Sequence, residues 1–251
     1  MSKFISKQSV AIWYALTALL ATFLVGQVIL WFFPDGTSIG ASLLFILMNL
    51  IPMIVAAVFS LVLSEVNSLG EFFKKVFLQK ESPLSWILAF FIPVIYYGIS
   101  ILLMNVRFTG NSLLAFFLYF PWTLLYGGLE EVGWRWFLQD HLSFSKHFIP
   151  KMMLLSIVWF LWHIPIYQLP WITAGSSNYL IFYLMILGNT FLFGALKEYS
   201  KGAVPCILAH MLIDSLAVLM LVQSSLPQII FLVIFEILVS SWLVAIRKSE
   251  K

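Results

Sequence analysis

Apolar runs long enough to cross a bilayer follow one another along nearly the whole chain, separated by short polar interruptions. A spanning helix needs roughly 20 mostly apolar residues. On that rule the pattern predicts eight spans, at about 9–33, 40–64, 84–104, 112–138, 151–170, 179–197, 203–223 and 227–246. The first closes on Phe33-Pro34-Asp35-Gly36, a turn signal. No small-residue cleavage site follows it convincingly, so it reads as a membrane helix rather than a signal peptide. Between the second and third runs, Leu69, Phe72, Phe73, Val76 and Phe77 share one helical face, with Glu71, Lys74 and Lys75 off it. A short helix lying in the membrane interface is therefore expected within 66–80. No internal repeat stands out, which argues against an inverted-repeat transporter. The expected fold class is all-α: one polytopic bundle of about eight transmembrane helices over residues 1–251.

Composition sharpens this. Hydrophobic residues make up 62% of the 251 and charged residues 10%, against about a quarter charged in soluble domains. Fourteen Lys and Arg are too few for a basic groove, so nucleic acid is not an expected partner. Cys206 is the single cysteine; it excludes a disulfide framework and reads as a packing residue. The cations instead set orientation. Lys3, Lys7, Lys74, Lys75, Lys80, Lys146, Lys151, Lys197, Lys201, Arg247, Lys248 and Lys251 fall on one side of the predicted spans, and only Arg107 on the other. The positive-inside rule then places both termini in the cytoplasm.

Against this apolar background the ionisable residues inside spans are the candidate chemistry, because each costs at least a few kcal/mol in a bilayer. In Gly127-Gly128-Leu129-Glu130-Glu131-Val132-Gly133-Trp134-Arg135, Glu131 and Arg135 stand i, i+4 and are expected to pair. Glu130 points about 100° away around the helix and is left for chemistry. Gly127, Gly128 and Gly133 permit close helix approach. His163 precedes Pro165, a kink candidate, and His210 and Asp214 share a face at i, i+4. Helix rise places Glu130 and His210 roughly 12 Å, and His163 and Asp214 roughly 18 Å, from the cytoplasmic ends of their spans. One layer opening towards the cytoplasm is expected. Glu236 has no motif around it, and either faces the same cavity or pairs with a neighbouring helix. His141 and His147 read as surface residues of a cytoplasmic loop.

Glu130-Glu131-x-x-x-Arg135, the segment Trp159-Phe160-Leu161-Trp162-His163, and His210-x-x-x-Asp214 resemble, in order, the three motifs of the CPBP family. These are the CAAX-protease and bacteriocin-processing intramembrane proteases, also called the Abi family. Trp159 stands where the family commonly has Phe, and Asp214 where the prenyl-protein-processing branch has Asn. The resemblance implies a protease core over about 84–223 and endopeptidase cleavage of a membrane-associated peptide or protein. Glu130 with His163 would deprotonate a water, and His210 with Asp214 would stabilise the oxyanion or help hold a metal. Glu131 and Arg135 would give structural support. A divalent metal such as zinc, with Glu130, His163, His210 and Asp214 as candidate ligands, stays open at this point. A compact chain of this kind looks like a bacterial cell-membrane member, with a role in peptide maturation or bacteriocin self-immunity. The alternatives are a non-enzymatic immunity or scaffold protein that binds a partner in the same cavity, and a proton-coupled transporter. Oligomeric state and substrate identity leave no mark in the sequence.

Overall fold

Serine and asparagine caps start five of the helices. Ser6, Ser38, Ser68, Ser82 and Asn178 each accept a hydrogen bond from the backbone N–H three residues on, satisfying a donor that has no partner within its helix. The computed structural model describes residues 6–143, 147–172, 178–223 and 225–249. Its helices are α1 (Lys7–Phe32), α2 (Ile39–Val62), α3 (Leu69–Phe77), α4 (Pro83–Leu102), α5 (Leu113–Thr123), α6 (Gln139–His141), α7 (Phe148–Tyr167), α8 (Tyr179–Tyr199), α9 (Val204–Leu216) and α10 (Leu226–Ser249). Two π-helical stretches, Leu124–Gly128 and Val132–Leu138, link α5 to α6. A two-stranded antiparallel ribbon pairs β1 (Val106–Phe108) with β2 (Met220–Val222), Arg107 opposite Leu221.

The bundle is helical and polytopic, but eight straight spans are not what the described residues form. Six helices are long and apolar enough to cross a membrane, and α5 through α6 supplies one more if its bent halves are counted as a single span. The run 203–223 becomes the 13-residue α9 and then β2. Hydropathy alone cannot separate a short buried helix plus strand from a full span, because both are uniformly apolar. The run 112–138 bends by 45° between Gly128 and Val132. The N–H of Leu129 reaches the carbonyl of Leu124 at 3.0 Å, an i→i+5 bond, and such insertions are a recognised cause of helix kinks.

The helix within 66–80 forms as α3. Its apolar face divides: Phe72 and Val76 are buried, whereas Leu69 and Phe73 are more than half exposed. Glu71 takes the N–H of Asn67 at 2.8 Å and pairs with Lys75 at 3.0 Å. The Asn67 backbone donor, with Lys75 next, holds the Glu71 carboxyl down at about 2, which keeps the capping charge in place near the helix start.

The bundle has two distinct ends. At the end carrying the chain termini, the N–H of Ser143 donates to Gln8, Lys197 pairs with Asp140 at 3.1 Å, and the N–H of Lys201 donates to Glu81 at 2.9 Å. His141 lies here too, and it is not a surface residue: it is buried, with Nδ1 on the Phe137 carbonyl and Nε2 on Glu65, each at 2.8 Å. His147 is exposed, as expected. At the opposite end lie the turn after α1, where Gly36 (φ +68°) packs under the Trp171 ring, and the β1–β2 ribbon. Lys3, Lys146 and Lys251 lie outside the described residues.

Candidate active site

The bend between the two π-helical stretches is where Glu130 and Glu131 sit. Their side chains diverge as the sequence spacing requires. Glu131, fully buried, accepts from Arg135 Nε through Oε2 at 2.7 Å. The expected ion pair is therefore present, but it is one half of the arrangement. Oε1 of Glu131 accepts from His210 Nδ1 at 3.0 Å, so the same carboxylate ties the bend to α9. Spacing within one helix gave no signal of this second bond.

Glu130 turns into a cavity of about 470 Å³ whose walls also include His163, His210 and Asp214. All four residues expected at the site are thus brought together. Oε2 of Glu130 accepts from Trp159 Nε1 at 3.0 Å and from Trp134 Nε1 at 3.3 Å. Its Oε1 has no hydrogen-bond donor among the described residues. His163 Nδ1 donates to the carbonyl of Trp159 at 2.8 Å. A carbonyl only accepts, so Nδ1 carries the hydrogen and, in the neutral ring, Nε2 is left as the acceptor. Trp159 therefore holds both partners, Glu130 by its indole and His163 by its backbone. A phenylalanine at this position would lack the indole donor. The His163 ring stacks on Tyr167, with centroids 5.7 Å apart and planes 13° from parallel.

On the facing wall, His210 Nε2 lies 3.5 Å from Asp214 Oδ2. That is too long for a good hydrogen bond, so His210 Nε2 is not committed to Asp214. Gly127 lets the two helices close: a Cβ there would run into Asp214 Oδ2 and come within 3.2 Å of His210 Nε2. Gly128 and Gly133 serve similar approaches, to Met211 and to Tyr14 with Pro52. Gly127→Ala is expected to lose about 1–3 kcal/mol of stability through overpacking and to displace Asp214. Gly98→Ala, where an added methyl meets nothing within 4 Å, is the control and should be neutral or stabilising. Thermal unfolding in detergent compares the two.

Several wall residues were not anticipated. Tyr96, Tyr97, Tyr126, Asn49 and Asn189 border the cavity alongside the four expected side chains. Tyrosine and asparagine in an apolar helix carry no charge, so nothing in the sequence sets them apart from packing residues. Glu236 is fully buried and not part of this wall; it packs against Gly188 of α8, its oxygens without a hydrogen-bond partner among the described residues. Cys206 is buried, its thiol 3.7 Å from the Phe193 carbonyl.

The four candidate ligands do not make a metal cage. Among the described residues no three His, Cys, Asp or Glu side chains converge as a set able to hold a metal ion.

Residues 109–216 match the model of the Rce1-like family, the type II CAAX prenyl endopeptidases. Over those residues the chain is similar to the CAAX protease family. The matched segment contains every residue of the three motifs, from Glu130 to Asp214. No curated protein matches the chain. The matched family is one of endopeptidases.

Proposed function

We propose that this CAAX-protease-like protein hydrolyses a peptide bond of a membrane-associated peptide or protein using water activated by Glu130 and His163. The observation that carries the reading is the Trp159 bridge, which presents one oxygen of Glu130 and one nitrogen of His163 to the same cavity. Glu130 takes a proton from water as the oxygen attacks the scissile carbonyl. The oxyanion that forms lies against the Nε2–H of His210, an imidazole that Asp214, 3.5 Å away, helps to orient. The proton on Glu130 passes to the departing amine as the C–N bond breaks. Arg135 and Glu131 hold the bend rather than react.

The bias of cations towards the termini end supports an orientation with both termini in the cytoplasm, and the family resemblance suggests a bacterial cell membrane as the setting. Peptide maturation or bacteriocin self-immunity is the biological role in keeping with a compact member of this family.

The test is purified protein in liposomes, incubated with a library of apolar peptides and read by mass spectrometry. Wild-type protein should give new peptide ends at defined bonds, and His163→Ala should give none while unfolding at the wild-type temperature. An identical peptide pattern from wild type and variant would refute the catalytic reading and favour a binding role for the cavity.

A further inference from the structure

The direction of the cavity can be read against the distribution of charge. Helices of the bundle alternate in direction, so each end is marked by known residues. The cavity walls include Ile166 and Tyr167 at the end of α7, Ile172 and Asn178 in the connection to α8, Ile181 and Phe182 at the start of α8, and Leu221 and Val222 of β2. On α2 they include Phe45 and Asn49, from the half near its start. All of these lie towards the ribbon end of the bundle. A second, smaller hollow continues the same way, from Asp214 past Tyr126 to Gly36 and Trp171.

Towards the termini end the floor is closed. Glu131 and Arg135, both fully buried, lie beneath Glu130, with the Arg135 guanidinium packed over the rings of Trp159 and Phe193 at 5.0 and 5.6 Å. No residue of α3, α6 or the connection between α8 and α9 lines the cavity. A cytoplasmic opening and cytoplasmic termini are therefore incompatible. Equal full spans would set the site nearer the cytoplasmic end, but α7 places His163 four residues from its ribbon-side end at Tyr167, and α9 places Asp214 two residues from its end at Leu216.

Charge chooses between the two. The described residues at the termini end include Lys7, Lys74, Lys75, Lys80, Lys151, Lys197, Lys201, Arg247 and Lys248. The ribbon end carries Arg107 and, as its acidic counterpart, Asp35. Lysine and arginine in short loops are retained in the cytoplasm, so the ribbon end is the outer one.

We infer that the cavity holding Glu130, His163, His210 and Asp214 opens on the extracytoplasmic side of the membrane, so that its substrate is a peptide segment presented from outside. The substrate assignment rests on the peptidase reading above; the orientation does not. It places this chain after export: the peptide it cuts has already crossed the membrane, or is anchored with its cleavable segment in the outer half. Among the residues lining the cavity, carboxylates and imidazoles are present but neither Lys nor Arg. An apolar segment without its own carboxylate beside the cleaved bond suits such walls.

Single-cysteine labelling tests the orientation without any substrate. Leu221→Cys places a thiol on the cavity wall, and Ser143→Cys places one at the termini end. Buried Cys206 provides the unlabelled background. Intact cells are treated with a small sulfonated maleimide that does not cross membranes, before and after permeabilisation, and the mass shift of the protein is read. Leu221→Cys should react in intact cells and Ser143→Cys only after permeabilisation. Reaction of Ser143→Cys in intact cells, or of Leu221→Cys only after permeabilisation, overturns the inference. A peptide found to be cleaved in liposomes is then added outside right-side-out vesicles, where cleavage without permeabilisation is expected. The expected labelling with no cleavage under any condition would leave the orientation standing and remove the peptidase reading. Cleavage only after permeabilisation would overturn the assignment of an external substrate.

Discussion

Glu130→Gln is expected to abolish peptide cleavage while leaving the bundle as stable as the wild type. The amide is nearly isosteric with the carboxylate, and its oxygen can still accept from Trp159 and Trp134, the two donors that hold Glu130 at 3.0 and 3.3 Å. What it lacks is the ability to take a proton from water. A positioned general base contributes about 10²–10⁴-fold in rate, so the fall should be at least in that range. Glu130→Leu makes an instructive contrast. It removes the base and also leaves two buried indole N–H groups without an acceptor, each costing about 1–3 kcal/mol. The glutamine variant should therefore lose activity alone, and the leucine variant activity and stability together. Turnover in liposomes and unfolding in detergent separate these effects. Wild-type turnover by Glu130→Gln would show that Glu130 is not the base.

The parts of this molecule legible in the sequence are those written in local spacing. The apolar period marked α1, α2, α4, α7, α8 and α10 closely, and the amphipathic pattern marked α3, because each is a property of one helix. The i, i+4 pairing of Glu131 with Arg135 was legible for the same reason. The bond from Glu131 to His210 joins positions 79 residues apart and was not. The bend at Glu130 was likewise hidden, since π-helical turns leave no periodic signature in a uniformly apolar run. Residue types that can act at a site showed themselves by their rarity in a bilayer. Tyr96, Tyr97 and Asn189, which are merely polar, did not.

Depth was the least legible quantity. Depth depends on where each helix ends, which apolar patterning marks only approximately, and on whether an apolar run is a full span. Because α9 is 13 residues long, a short helix that ends near the site brings His210 and Asp214 closer to the ribbon end than a full span would. The charge bias and the cavity are each simple to interpret alone. Only their combination, which needs three dimensions, gives the cavity an outward direction.

The second large effect belongs to the buried pair beneath the site. Glu131→Leu and Arg135→Leu should each destabilise the protein by about 3–5 kcal/mol, because each leaves an opposite charge buried without its partner. Both side chains are fully buried, and the contact between them is 2.7 Å. The two losses should differ in kind. Glu131→Leu also strips His210 Nδ1 of its acceptor, and so frees the wall that faces the oxyanion. Arg135→Leu takes the cation from the faces of Trp159 and Phe193, and so loosens the residue that holds Glu130 and His163. The double variant should be less destabilised than the sum of the singles, since no unpaired charge remains, with a coupling of about 0.5–3 kcal/mol as found for directly contacting residues. Activity should not recover with stability, because the acceptor of His210 and the support of Trp159 are still missing. A double-mutant cycle by denaturant unfolding in detergent, alongside turnover in liposomes, reads both quantities. Additive stability losses would show that the pair is not coupled, and restored turnover in the double variant would show that it does nothing to position the site.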